Sequence, residues 1–156
     1  MNAVWPKREK KTLVSDLPAA SPRNALYTLA AIGGALLGLL LIAAAYGHFS
    51  AVWPKIDAGT TDASKSRFVL LLPGLVLAIT GLVDIALGRA LGVGMRRALR
   101  VVLICNVLAA LYLTYLLNAG VPDHPIGFFT TLLWCYVIVL GALQAGLVWP
   151  TVSEPR

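Results

Sequence analysis

Apolar positions in this chain do not alternate with polar ones; they run on unbroken, in four stretches long enough to identify the surrounding solvent. Residues 24–54 hold no Asp, Glu, Lys or Arg, residues 68–88 hold Asp84 alone, and residues 101–122 and 124–153 hold none. A hydrocarbon core of ~30 Å is crossed by about 20 helical residues at ~1.5 Å each, so every stretch is long enough. Backbone N–H and C=O groups in hydrocarbon must pair within their own segment, which selects helix over open strand. The pattern therefore predicts an all-α polytopic integral membrane protein, a four-transmembrane-helix bundle over residues 24–150 with spans at 25–46, 68–88, 101–119 and 127–149.

Composition narrows this further. With 156 residues and 58% hydrophobic content, four spans leave only short tails at 1–23 and 151–156. The first tail has three prolines and several charges, and reads as a flexible basic segment. Lys and Arg in short flanks are retained on the cytoplasmic side. Lys7, Arg8, Lys10, Lys11 and Arg23 precede the first span, Arg89, Arg96, Arg97 and Arg100 lie between the second and third, and Arg156 follows the fourth. On the other side Lys55, Lys65 and Arg67 are balanced by Asp57, Asp62 and Asp123. Both termini are expected in the cytoplasm, across the inner membrane of a bacterium. The net charge of +6 is then topology signal and contact with anionic lipid headgroups, not a nucleic-acid interface, since no basic face carries interleaved aromatics. Ala43, Ala44 and Ala45 resemble a signal cleavage site, but the first apolar run exceeds the 7–15 residues of a signal core.

Ala3-Val4-Trp5-Pro6-Lys7 recurs as Ala51-Val52-Trp53-Pro54-Lys55, and Val148-Trp149-Pro150 echoes it. Indole favours the headgroup region and proline ends a helix, so interfacial preference accounts for these pairs without an internal repeat.

Asp84 is the one Asp, Glu, Lys or Arg inside a predicted span. A charge at that depth costs ~2.5–3.5 kcal/mol unless paired or neutralised. Counting residues from the predicted span ends puts Asn106 and Gln144 at a similar height, with Tyr27 and Thr28 nearby. This is a polar layer in the cytoplasmic third of the bundle, with Asn106 or Gln144 donating to the carboxyl and Arg89 and Arg100 reaching toward it. A second polar group gathers at the outer face: Tyr46, His48, Tyr115, Asn118, Asp123 and His124. It has no recognised metal-ligand spacing and reads as interfacial capping; neither a metal nor a cofactor is expected. Cys105 and Cys135 differ in predicted depth by about 13 Å, beyond the ~7 Å that a disulfide spans between Cα atoms.

Small residues supply the packing signal. Ala30, Gly34 and Gly38 in the first span, and Ala142 and Gly146 in the last, form stripes of the kind that let helices approach closely or dock on a partner. Pro73-Gly74 is expected to kink the second helix near its outer end.

Gly47-His48-Phe49 closing the first span, the run Gly81-Leu82-Val83-Asp84-Ile85-Ala86-Leu87-Gly88, the Arg96-Arg97 turn, and Asn106 with Tyr112 in the third span give the chain a likeness. Residues 45–118 resemble the DoxX-like family of small four-helix membrane proteins. Asp84 stands where that family usually has Glu, and the segment after His48 departs from its proline-rich pattern. The resemblance implies a four-helix bundle, sometimes associated with membrane redox complexes, and carries over no catalytic residue.

Three functions compete. A non-catalytic accessory or assembly subunit, packing on a larger membrane complex or on a second copy, needs only apolar helices and brief loops. A small dimeric transporter or channel would use Asp84 as its protonatable group. A membrane enzyme acting on lipid or quinone would need Asp84, Asn106 and Gln144 to converge. The first is the expectation adopted, with lipid and a larger complex or a homodimer as partners.

Overall fold

The structure is a computed structural model that describes residues 22–58, 67–119 and 124–146. It is all-helical: α1 (Pro22–Asp57), α2 (Arg67–Gly92), α3 (Arg96–Asn118) and α4 (His124–Ala145). All four are long and apolar enough to cross a membrane. The first tail up to residue 21, the last tail, the Trp-Pro pairs at 5–6 and 149–150, and Asp123 lie outside the described residues.

Each predicted span is present with shifted ends. Proline lacks the N–H that a first helical turn leaves unpaired, so Pro22 opens α1 two residues inside the predicted tail. At the other end α1 runs eleven residues past the predicted boundary of 46 and takes in Gly47, His48, Ser50 and Pro54. Its 36 residues reach about 54 Å. The polar residues that looked like a stop are absorbed locally. Ser50 Oγ donates to the Tyr46 carbonyl at 2.8 Å, and the His48 ring donates across to α2.

Neighbouring helices pack in a ring, α1 on α2, α2 on α3, α3 on α4, and α4 back on α1; α1–α2 is the most extensive interface and α4–α1 the thinnest. The core between them holds Leu37, Leu41, Leu91, Leu99, Leu113 and Leu133. The α2–α3 connection is a tight Schellman cap. Gly94 takes φ +76°, which favours glycine, while its N–H bonds the Leu91 carbonyl at 2.8 Å and the Met95 N–H bonds that of Ala90 at 3.0 Å.

Glycine sets the α1–α2 spacing. A Cβ added to Gly38 would stand 2.7 Å from the Gly81 carbonyl oxygen, and one added to Gly81 would stand 2.5 Å from that of Gly38. Backbones therefore touch at this crossing, and any side chain at either position forces them apart. Gly74, Gly81 and Gly88 lie seven residues apart on α2, as do Ala31, Gly38 and Ala45 on α1. A seven-residue repeat keeps one seam facing its partner along the whole contact.

The small-residue stripes thus face inward in α1. Gly38 meets α2, while Ala30 and Gly34 receive Tyr136 of α4, whose hydroxyl donates to the Ala30 carbonyl at 3.1 Å. The α4 stripe requires a correction. Gly146 lies just past the helix with φ +68° and open space about it, so it ends α4 rather than packing it, and Ala142 is only half-buried.

Candidate functional site

Hydrocarbon-like surroundings leave a side-chain amide or carboxyl few partners except other side chains and bared carbonyls. The interior of this bundle is organised around that scarcity. Asp84 on α2 is 1% exposed and Asn106 on α3 is fully buried. The Asn106 amide donates to Asp84 Oδ1 at 2.7 Å and to the carbonyl of Val102, one turn back on its own helix, at 2.9 Å. Both amide hydrogens are used, which fixes the amide's orientation, because a flipped amide would set oxygen against two acceptors. Two buried acceptors remain without a partner: Asp84 Oδ2 and Asn106 Oδ1.

The remaining members of the predicted layer do not join this pair. Gln144 is exposed: α4 ends at Ala145 instead of 149, and the shorter helix moves Gln144 from the interior to the last turn. Tyr27 is buried but covers the α2–α3 turn, its ring about 3.8 Å from where a Gly94 Cβ would sit. Thr28 faces outward. Arg89 and Arg100 are exposed, and neither reaches the free carboxyl oxygen. What does approach Asp84 is the bare backbone of Gly38 from α1.

The described members of the outer cluster have separate roles. His48 Nε2 donates to the Leu70 carbonyl at 2.8 Å, in the turn of α2 that precedes Pro73, which lies within the continuous helix. Gly74 makes room for this, since a Cβ there would fall 2.8–2.9 Å from the Phe49 and His48 rings. Tyr46, Tyr115 and Asn118 are exposed, and the side chain of His124 lies outside the described residues. Among the described residues no three His, Cys, Asp or Glu side chains converge. Cys105 and Cys135 are both free thiols.

Two clasps went unread in the sequence. Trp134 Nε1 donates to Thr114 Oγ1 at 3.1 Å, and that hydroxyl donates back to the Ala110 carbonyl at 2.7 Å, which joins α4 to α3. Tyr136 on Ala30 joins α4 to α1. The available signal was the pair Ala30 and Gly34, which opens a helix backbone to whatever long donor lies opposite.

No family model matches this chain, and neither a curated protein nor a solved structure is significantly similar to it. The site must be read from its own chemistry.

Proposed function

We propose that this chain is a small integral membrane protein of the bacterial inner membrane, both termini cytoplasmic, serving as a non-catalytic accessory or assembly subunit that docks against a larger membrane complex. Its likeness to the DoxX-like family over residues 45–118 belongs to this proposal. The observation that carries it is the outward placement of glycine. Gly33 and Gly47 on α1, and Gly127 and Gly141 on α4, have open space where a Cβ would be. In each pair the two lie fourteen residues apart, close to four full turns, and so occupy one side of their helix. Glycine within a helix costs ~1 kcal/mol relative to alanine, and among the described residues no neighbour uses the gap it leaves. A helix from another protein would fit such shallow faces.

Native mass spectrometry of the protein released from its own membrane in mild detergent tests the proposal. Larger membrane subunits at fixed stoichiometry are expected, and Gly33→Leu with Gly141→Leu should abolish their co-release while leaving helicity undiminished and the melting temperature unchanged or raised. A monomer or homodimer alone would overturn it. The transporter reading draws its support from the burial of Asp84. Proteoliposome flux that disappears in Asp84→Asn would favour it over the accessory role.

A further inference from the structure

The unsatisfied atoms of the Asp84–Asn106 pair are both oxygens, and both belong to side chains almost wholly excluded from solvent. A buried acceptor left without a donor costs about 1–3 kcal/mol, more when charged. The pair's own amide donors are already committed, one to Asp84 Oδ1 and one to Val102. Completion therefore has to come from outside the pair, and it has to be a donor or a cation.

The charged and titratable groups around the site do not provide one. Within α2 and α3, Arg89 and Arg100 are exposed and do not reach Asp84. From α4 the Tyr136 hydroxyl donates to Ala30 instead. Cys105, next to Asn106 on α3, is a free thiol and leaves both oxygens unpartnered. The face of α1 turned toward Asp84 offers Gly38, which has no side chain.

We propose that the Asp84–Asn106 pair is a proton-binding site that takes one proton on Asp84 Oδ2 and closes it onto Asn106 Oδ1. Amide and carboxylic acid are complementary in this arrangement. The amide N–H donates to one carboxyl oxygen, and the acid O–H on the other donates to the amide oxygen, so each group uses both of its ends. The step balances simply: a hydrated proton from the aqueous phase forms the O–H bond, a water molecule is released, and the carboxylate charge is cancelled. No oxidation or reduction is involved. The occupied site carries no net charge and no orphaned oxygen. The inference goes beyond the accessory role and holds whether or not the bundle docks on a partner.

Infrared spectroscopy of the full chain in lipid nanodiscs tests it, with [13C]aspartate labelling to separate the carboxyl band from lipid esters. The other Asp and Glu residues fall outside the predicted spans, so a protonated carboxyl at pH 7 reports Asp84. One labelled protonated carboxyl per chain is expected, sensitive to H2O/D2O exchange, absent in Asp84→Asn, and shifted in Asn106→Leu to the position of an acid with fewer hydrogen bonds. Asp84→Asn can reproduce both bonds of the occupied pair and adds one unpartnered N–H, so it should fold with a somewhat lowered melting temperature. Should it fail to fold, the wild-type band and its shift in Asn106→Leu still decide the question. An ionised carboxylate at pH 7 in sodium-free buffer would overturn the proposal. So would a protonated band abolished by sodium chloride but not by choline chloride, which would assign the site to a metal cation.

Discussion

The α1–α2 and α3–α4 seams solve the same problem by opposite means. At the first, glycines at 38 and 81 let two backbones touch, and no long side chain stands between them. At the second, an indole reaches across to a threonine hydroxyl that is itself anchored to its own helix. Between lipid-facing helices hydrophobic drive is weak, so close van der Waals contact and hydrogen bonding carry association. The first seam rests on backbone contact at its crossing, with His48 on the Leu70 carbonyl toward one end, and the second on a side-chain clasp along its length. Close contact tolerates no added volume, while a clasp tolerates the loss of its polar atom, because the ring still fills the space.

The asymmetry can be broken most severely at Gly81. Gly81→Leu would push side-chain carbon into the α1 backbone and is expected to cost about 3 kcal/mol or prevent folding, read as loss of the cooperative melt in detergent. Asn106→Leu comes next, between the two seams, at about 2 kcal/mol, because it strips Asp84 of its donor without removing the buried carboxyl. Trp134→Phe keeps a six-membered aromatic ring but deletes the N–H donor with the smaller ring, so circular-dichroism melting should show a loss of only about 1 kcal/mol. Gly88→Ala is the smallest and sharpest test within the first seam. A Cβ there would meet the Ala31 carbonyl at an ordinary 3.7 Å, so helix propensity should make it neutral or slightly stabilising. A cost at Gly88 equal to that at Gly81 would mean that close approach is not confined to the crossing.

Which parts of this arrangement could be read from the chain follows from what linear counting measures. Apolar run length located all four helices, because the length of a helix and its composition are both linear quantities. The true end of α1 was hidden because Gly47, His48 and Ser50 look polar in isolation, whereas two of them bond carbonyls within the bundle. Depth counting paired Asp84 with Asn106 and offered Gln144 as an alternative. It failed for Gln144 because the predicted end at 149 was four residues too far, which set that residue a full turn too deep. Depth also says nothing of azimuth. Trp134 and Tyr136, two residues apart, clasp different helices, a distinction visible only once the helices are arranged in their ring.

The sevenfold spacing of small residues along α1 and α2 has a consequence for alignment. Because Gly74, Gly81 and Gly88 repeat at the same interval as Ala31, Gly38 and Ala45, sliding one helix about 10 Å along the other would again set small residue against small. The seam fixes how closely the two helices lie but is nearly degenerate in which residue faces which, like a rack that meshes at every tooth. A single non-repeating contact has to choose the tooth. His48 on the Leu70 carbonyl, beside the one proline inside α2, is such a pawl.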